Sequence, residues 1–238
     1  MPDGEAAAVA ATQGTPSTVA SLARDLAQLG VRRGGVLLVH CAMSRLGWVC
    51  GGAPAMIAAL KQAVGPDGTL VMPAFTGHLS EPSRWRAPPV PESWWPRIRA
   101  ELPAFDPAVT PSRAMGAVAE CFRSLPGTRR STHPQVSFAA RGPAAARIVG
   151  DHSLDDGFGE ASPLARAYEL DAQVLLLGVG HERNTSLHLA EDRADWPGKR
   201  RREQGAPILQ DGRRAWVTFT ETDYDDSDFP AIGAAFAA

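Results

Sequence analysis

The run Val174-Leu-Leu-Leu-Gly-Val-Gly-His-Glu-Arg-Asn-Thr-Ser-Leu-His-Leu-Ala-Glu191 passes from an apolar segment through a glycine-bounded turn into a polar helix start. The Val- and Leu-rich part, closed by Gly178 and Gly180, predicts a strand buried on both faces, as in a parallel sheet. Asn184 or Thr185 is the expected N-cap of the helix that follows. Thr185, His188 and Glu191 then fall at successive i, i+3 positions and share one helix face. A hydroxyl, an imidazole and a carboxylate at the end of a buried strand suit general-base chemistry.

Working outward, the same alternation of short apolar runs and helical periods recurs. Ser17 to Leu29 reads as an amphipathic helix with Ser17 as its candidate cap and Gly30 as its stop. Val36 to His40 reads as a buried strand, Ala53 to Val64 as a helix with Pro54 in its first turn, and Thr69 to Phe75 as a second strand. Strand, helix and strand in that order imply a βαβ unit, hence a single α/β domain with a mostly parallel central sheet covered by helices. Residues 78–111 hold Pro82, Pro88, Pro89, Pro91 and Pro96 with Trp85, Trp94 and Trp95, which excludes a long regular element and suggests a lid or substrate wall. Helices are expected at 114–124, 143–149 and 162–170, and a strand at 137–141. Ile208 to Val217, around Asp211-Gly212, predicts a C-terminal β-hairpin with a type I′ turn. Residues 1–16 read as a disordered tail, leaving 17–238 as one domain.

Composition narrows the function classes. The chain has 238 residues, is 44% hydrophobic and 21% charged, and carries a net charge of −2, with six histidines. That balance speaks against a nucleic-acid binder working through a broad basic face. No apolar run approaches the ~20 residues of a membrane span, and residues 1–17 lack a secretory pattern. Cys41, Cys50 and Cys121 form no CxxC and read as free thiols of a cytoplasmic protein. Lys199 to Arg202 reads as a solvated run. The acidic cluster Glu221, Asp223, Asp225, Asp226 and Asp228 reads either as a solvated loop or as a wall for a polycationic ligand.

Two turns could hold phosphates. Ser44 to Gly52, with Gly47, Gly51 and Gly52 before a helix, is either an anion cradle or an ordinary tight turn. Thr110-Pro-Ser-Arg-Ala-Met-Gly116 is either a second cradle or a well-capped helix start. His133-Pro134 reads as a structural histidine. His181 and His188 are seven residues apart rather than four, so the pair does not match the HExxH zinc pattern, and no metal is expected.

Taken together, these segments resemble the aminoglycoside 3-N-acetyltransferase family. The resemblance is carried by Ser44-Arg-Leu-Gly-Trp-Val-Cys-Gly-Gly52, Trp85-Arg-Ala-Pro-Pro-Val-Pro-Glu-Ser-Trp-Trp95, Thr110 to Gly116, Arg130-Ser-Thr-His-Pro134, Glu160-Ala-Ser-Pro-Leu164, Leu176 to Gly180 and Asn184 to Glu191. It implies an α/β fold distinct from the GCN5-related acetyltransferases. It also implies acetyl transfer from acetyl-coenzyme A to the 3-amino group of a 2-deoxystreptamine ring. Charge, cysteine usage and hydropathy lead us to expect a cytoplasmic protein with no nucleic-acid or membrane partner, either a monomer or a homodimer. His188 is implied as catalytic base, Glu191 as its carboxylate partner and Thr185 as a hydroxyl for the oxyanion. Coenzyme A is implied to contact His40, Cys41, Ala42, Met43, Ser44, Arg45, Leu46 and Gly47, then Thr110, Ser112, Arg113, Met115 and Gly116, with Ser137 and Phe138. The chain reads His40-Cys-Ala-Met-Ser44 where the family has a hydroxyl-rich turn, so contacts there are expected from backbone. Family members continue for some tens of residues past the position of Ala238 and end in a last apolar helix, so the chain reads as short relative to the family.

A polycationic acceptor calls for carboxylates. The candidates are Glu81, Asp155, Asp156, Glu160, Asp192 and Asp223, with Asp151, Asp225 and Asp226 in similar loops. Three other readings stay open at this stage: an N-acetyltransferase of the same fold acting on a non-antibiotic amine, a non-catalytic binder of coenzyme A or aminoglycoside, and a zinc hydrolase.

Overall fold

The computed structural model describes residues 2–237, so Met1 of the expected tail and Ala238 of the expected domain lie outside the described residues. In chain order the helices are α1 (Pro2–Ala11), α2 (Val19–Gln28), α3 (Gly52–Val64), α4 (Trp95–Glu101), α5 (Gly116–Ser124), α6 (Ala145–Val149), α7 (Pro163–Glu169), α8 (Leu187–Arg193) and α9 (Phe229–Ala237). The strands are β1 (Val36–Cys41), β2 (Thr69–Pro73), β3 (Arg129–Arg130), β4 (Phe138–Arg141), β5 (Gln173–Leu177), β6 (Arg201–Gln210) and β7 (Arg213–Thr222).

The central sheet has the order β3-β4-β2-β1-β5. β1 pairs in parallel with both β2 and β5, and β4 pairs antiparallel with β2 and β3, so only β4 runs against the rest. The expected α/β domain with a mostly parallel sheet and a terminal hairpin is therefore present. Side-chain alternation along β1 explains why it is fully apolar. Leu37 and Val39 point into a core filled by Leu26 of α2, Met56 and Leu60 of α3, and Val118 and Phe122 of α5. Val36 and Leu38 point into an opposite core with Phe138, Ile148 of α6, Leu164 of α7 and Leu189 of α8. Helices thus cover both faces.

Four expectations are corrected. β5 is an edge strand, half-buried rather than buried on both faces, with Val174 39% exposed. The first residues are not a disordered tail: the alanine-rich segment forms α1, as its helix propensity favours. Thr12 then ties that helix down, its hydroxyl donating to Ala8 O and accepting from Trp48 N, both at 2.7 Å, while Trp48 Nε1 donates to Glu5. Thr18, not Ser17, caps α2, in a capping box with Ser21, because Ser17 is drawn into a bridge with Val49. Neither Asn184 nor Thr185 caps α8. Ser186 stands at that position, and the Asn184 carboxamide oxygen accepts from the Ser186 backbone and hydroxyl. That local turn supplies what a side-chain cap would otherwise give.

The hairpin is longer than expected, with ten residues in each strand, but its turn is the expected one: Asp211 and Gly212 both have positive φ. Arg201 and Arg202 of the basic run are inside β6 rather than in a solvated loop. Residues 78–111 contain only short turns and α4, whose Pro96 sits in its first turn.

Candidate active site

The C-terminal ends of β1, β2 and β5 converge where consecutive connections leave on opposite faces of the sheet, the place where open α/β sheets form crevices. Three turns close around that point. After β5, Gly178 (φ 66°) brings the chain so near the turn after β1 that an added Cβ would lie 2.7 Å from Arg45 Cβ and 3.0 Å from Ala42 O. Ala42 N donates to Leu177 O at 2.9 Å across the same junction. Before α5, Gly116 (φ 84°) faces Cys41 O, 3.3 Å from where a Cβ would stand. Only glycine allows both approaches without strain.

The cavity so enclosed measures about 640 Å³ and takes in His40, Cys41, Ala42, Met43 and Ser44 from one turn, Met115 and Gly116 from another, and Thr185 and His188 from the third. Of the residues expected at a coenzyme, Arg45, Leu46, Gly47, Thr110, Ser112, Ser137 and Phe138 do not line it. Ser112 is bonded to Glu120, and the Thr110 hydroxyl accepts from Asp106 N, so both stabilise the turn from behind. Ser137 donates to Ala74 O and Phe138 is core. Arg113 faces a neighbouring cavity.

His188 Nδ1 lies 2.8 Å from Glu191 Oε2, and both side chains are close to nine-tenths buried. The i, i+3 spacing on α8 delivers this pair, as the sequence suggested. Glu191 Oε1 in turn accepts from Asp225 N at 2.8 Å, which fixes the carboxylate. With Glu191 accepting the Nδ1 proton, the neutral ring keeps its lone pair on Nε2, which makes no hydrogen bond to any described residue. Phe158 stacks on the imidazole at 4.5 Å and 12°, and Tyr224 and Phe229 flank it at 5.3 and 4.8 Å. Sequence reasoning missed these three aromatics. Phe158 stands between two glycines in an irregular loop, where no periodicity marks it.

Thr185 does not bond to His188 through its side chain. Its hydroxyl is 3.3 Å from His40 Nε2, while its carbonyl accepts from His188 N. Burial pulls His40 down to about 4, so that ring is neutral at ordinary pH. Burial likewise pushes the Cys41 thiol up to about 11, leaving it protonated. His133 is the structural residue its context suggested: its Nδ1 accepts from Gln135 N and Val136 N.

The expected substrate carboxylates mostly serve elsewhere. Glu81 is held by Arg99, Glu160 by Arg193, and Asp223 by Arg200 and Arg202. Asp155 accepts from Thr220 N, Asp156 from Ala161 N, and Asp192 from Thr222 and Tyr224. None of the six lines the His188 cavity, whereas Asp226 does. Among the described residues no helix is long and apolar enough to cross a membrane.

A sequence model described as aminoglycoside 3-N-acetyltransferase matches residues 38–238. The chain is 43% identical over 224 residues to the prophage-derived aminoglycoside N(3')-acetyltransferase-like protein YokD of Bacillus subtilis, covering 94% of this chain and 82% of that one. It is 43% identical to aminoglycoside N(3)-acetyltransferase VIII of Streptomyces fradiae, covering 88% and 73%. The crystal structure of YokD superposes with a TM-score of 0.94 at 41% identity over 97% of this chain and 85% of that one. The binary complex of AAC-IIIb with CoASH superposes with a TM-score of 0.83 at 36% identity over 94% and 85%. This chain belongs to the aminoglycoside 3-N-acetyltransferase family.

Proposed function

We propose that the chain transfers the acetyl group of acetyl-coenzyme A to the 3-amino group of an aminoglycoside's 2-deoxystreptamine ring, with His188 as general base. The observation that carries this reading is the His188–Glu191 pair, whose Nε2 lone pair stands in a cavity walled by the turns at 40–44 and 114–117. Those turns fit a long thioester. They offer backbone groups and apolar walls (Met43 and Met115, joined by Met72 of β2) rather than bulky charged side chains.

An aminoglycoside amine is largely protonated near neutral pH and has no lone pair until a base removes the proton. His188 Nε2 takes that proton, directly or through one water, and Glu191 stabilises the resulting imidazolium and keeps the ring from turning. The freed amine attacks the thioester carbonyl while both substrates are bound, which removes the entropic cost of a bimolecular encounter. Thr185, its hydroxyl oriented by neutral His40, donates to the carbonyl oxygen as negative charge develops there. Asp226, on the cavity wall, supplies an acceptor for a cationic ring of the drug. We place the reaction in the cytoplasm, in keeping with three free cysteines.

The test is a thiol-capture assay with acetyl-coenzyme A and a panel of kanamycin, gentamicin and apramycin. Free thiol released in proportion to acetylated drug supports the reading. Tight drug binding without thiol release would make the chain a binder only.

A further inference from the structure

Beside the His188 cavity, and sharing Phe75, Ala114 and Met115 with it, lies a second cavity of about 900 Å³. Arg84, Arg86, Arg113, Arg202 and His78 face it, and no carboxylate does. The Arg84 and Arg113 guanidinium groups make no hydrogen bond to any described residue, and Arg86 reaches only Ser83 O. Arg202 is committed to Glu221 and Asp223, so those two carboxylates are already paired rather than left for a cation. Two polar atoms here are buried with no partner: Nδ1 of His78 and Oε1 of Gln204, a residue 94% buried by its 6% exposure. Buried polar groups are normally satisfied. A set of unsatisfied ones beside unpaired arginines marks a ligand site for an anion that also offers hydrogen-bonding hydroxyls.

The wall shared with the catalytic cavity sets the reach. The Phe75 ring is 5.6 Å from Phe158, which stacks on His188. A group held by the arginines and an amine presented to His188 can therefore belong to one small molecule. We propose that this enzyme also acetylates amines that carry an anionic group, such as a phosphate, with that group seated against Arg84 and Arg113. The inference rests on His188 being the base and acetyl-coenzyme A the donor. The ammonium gives its proton to His188, the C–N bond forms as the C–S bond breaks, and the departing thiolate takes up a proton.

Of the two turns that the family resemblance links to coenzyme A, Cys41–Ser44 lines only the His188 cavity. The coenzyme's own phosphates are the competing source of anionic charge, and the experiment separates the two. Thiol release is measured with glucosamine 6-phosphate, with glucosamine as the matched amine without phosphate, and with kanamycin. The expected result is a kcat/KM for glucosamine 6-phosphate at least about tenfold above that for glucosamine, the size of one or two charge-assisted contacts. Inorganic phosphate should compete with the sugar phosphate. Arg84→Ala, an exposed side chain outside both turns linked to coenzyme A, should raise its KM about tenfold and leave the KM of acetyl-coenzyme A and kcat for kanamycin unchanged. Equal kcat/KM for the two sugars overturns the inference. So does a rise in the acetyl-coenzyme A KM in Arg84→Ala, which would assign the cavity to the coenzyme. Turnover of kanamycin with no phosphate preference removes only this inference, whereas no thiol release from any amine removes the acetyltransferase reading as well.

Discussion

In the proposed reaction, Nε2 of His188 is the atom on which the chemistry turns, and Glu191 decides which tautomer reaches it. Replacing His188 with Ala removes the base and should cut kcat by about 10²-fold or more, and because the ring is close to nine-tenths buried among three aromatics it should also lower the urea midpoint. Glu191→Gln is the sharper test. A carboxamide can donate to Nδ1, which moves the ring proton to Nε2 and takes away the lone pair. We expect kcat to fall by at least about tenfold with the KM of acetyl-coenzyme A unchanged. A variant that keeps full turnover shows that Glu191 is only a structural partner. The pair was legible in the sequence because i, i+3 spacing on a helix is a geometric statement. Its aromatic cradle was not. Phe158, Tyr224 and Phe229 come from three separate irregular or terminal segments, and only tertiary folding brings them to one ring.

Elements at the two ends of the chain hold the site from outside. α1 reaches the coenzyme-side turn through Thr12, whose hydroxyl accepts from Trp48 N, next to Gly47. Thr12→Val keeps the shape and deletes the acceptor. The 42–50 turn should loosen, raising the KM of acetyl-coenzyme A a few-fold with kcat unchanged, as loss of one neutral hydrogen bond of about 1 kcal/mol implies. An unchanged KM would show that α1 is a passenger. α9 bears on the other side: Gly233 is buried so closely against His181 that a Cβ would overlap the imidazole ring. Gly233→Ala must push α9 outward and carry Phe229 away from His188. Its alanine favours the helix by only about 1 kcal/mol, too little to offset such a clash. Lower kcat together with a lower melting temperature is the expected pair of effects, and a gain in stability would refute this packing argument. The N-terminal segment shows why sequence reading stopped short. Small, weakly amphipathic residues look disordered, and the hydrogen bonds that order them are made with residues 36 positions away.

At the scale of the molecule, the strand–helix periodicity and the hairpin turn specified the architecture, because both cores demand apolar runs of the right period. Strand order was not specified by it. The apolar run Val174–Leu177 reads as central, yet it pairs only with β1 and ends the sheet. The partners of the expected substrate carboxylates were also illegible, since charge in a sequence carries no sign of its partner: Glu81, Glu160 and Asp223 each turn to an arginine far along the chain.

Buried histidines give the whole fold a pH dependence whose direction can be worked out. Burial lowers His40 and His133 to about 4 and His152, beside His133 at 4.9 Å between ring centroids, to about 3. All three lie below the value of about 6.5 expected in the unfolded chain. As pH drops, the unfolded chain therefore takes up protons first, and stability that is complete above about pH 6.5 is lost progressively down to about pH 4. Carboxylates act in a separate, lower window. Burial alone would raise Glu120, but Arg123 and Ser112 hold it at about 2, so its contribution fades only below its ordinary value of 4.5. Between pH 7 and 5 the histidines act alone, each costing on the order of 1–2 kcal/mol by pH 5. The urea midpoint should thus fall steadily across that range, before carboxylate titration begins. His152→Gln should lower stability at pH 7, where its bonds to Ser131 and Gly157 are lost, yet make the decline toward pH 5 shallower, one of the histidines held below their ordinary value having been removed. A midpoint flat from pH 7 to 5 in the parent would mean that these rings are hydrated or already protonated in the folded protein.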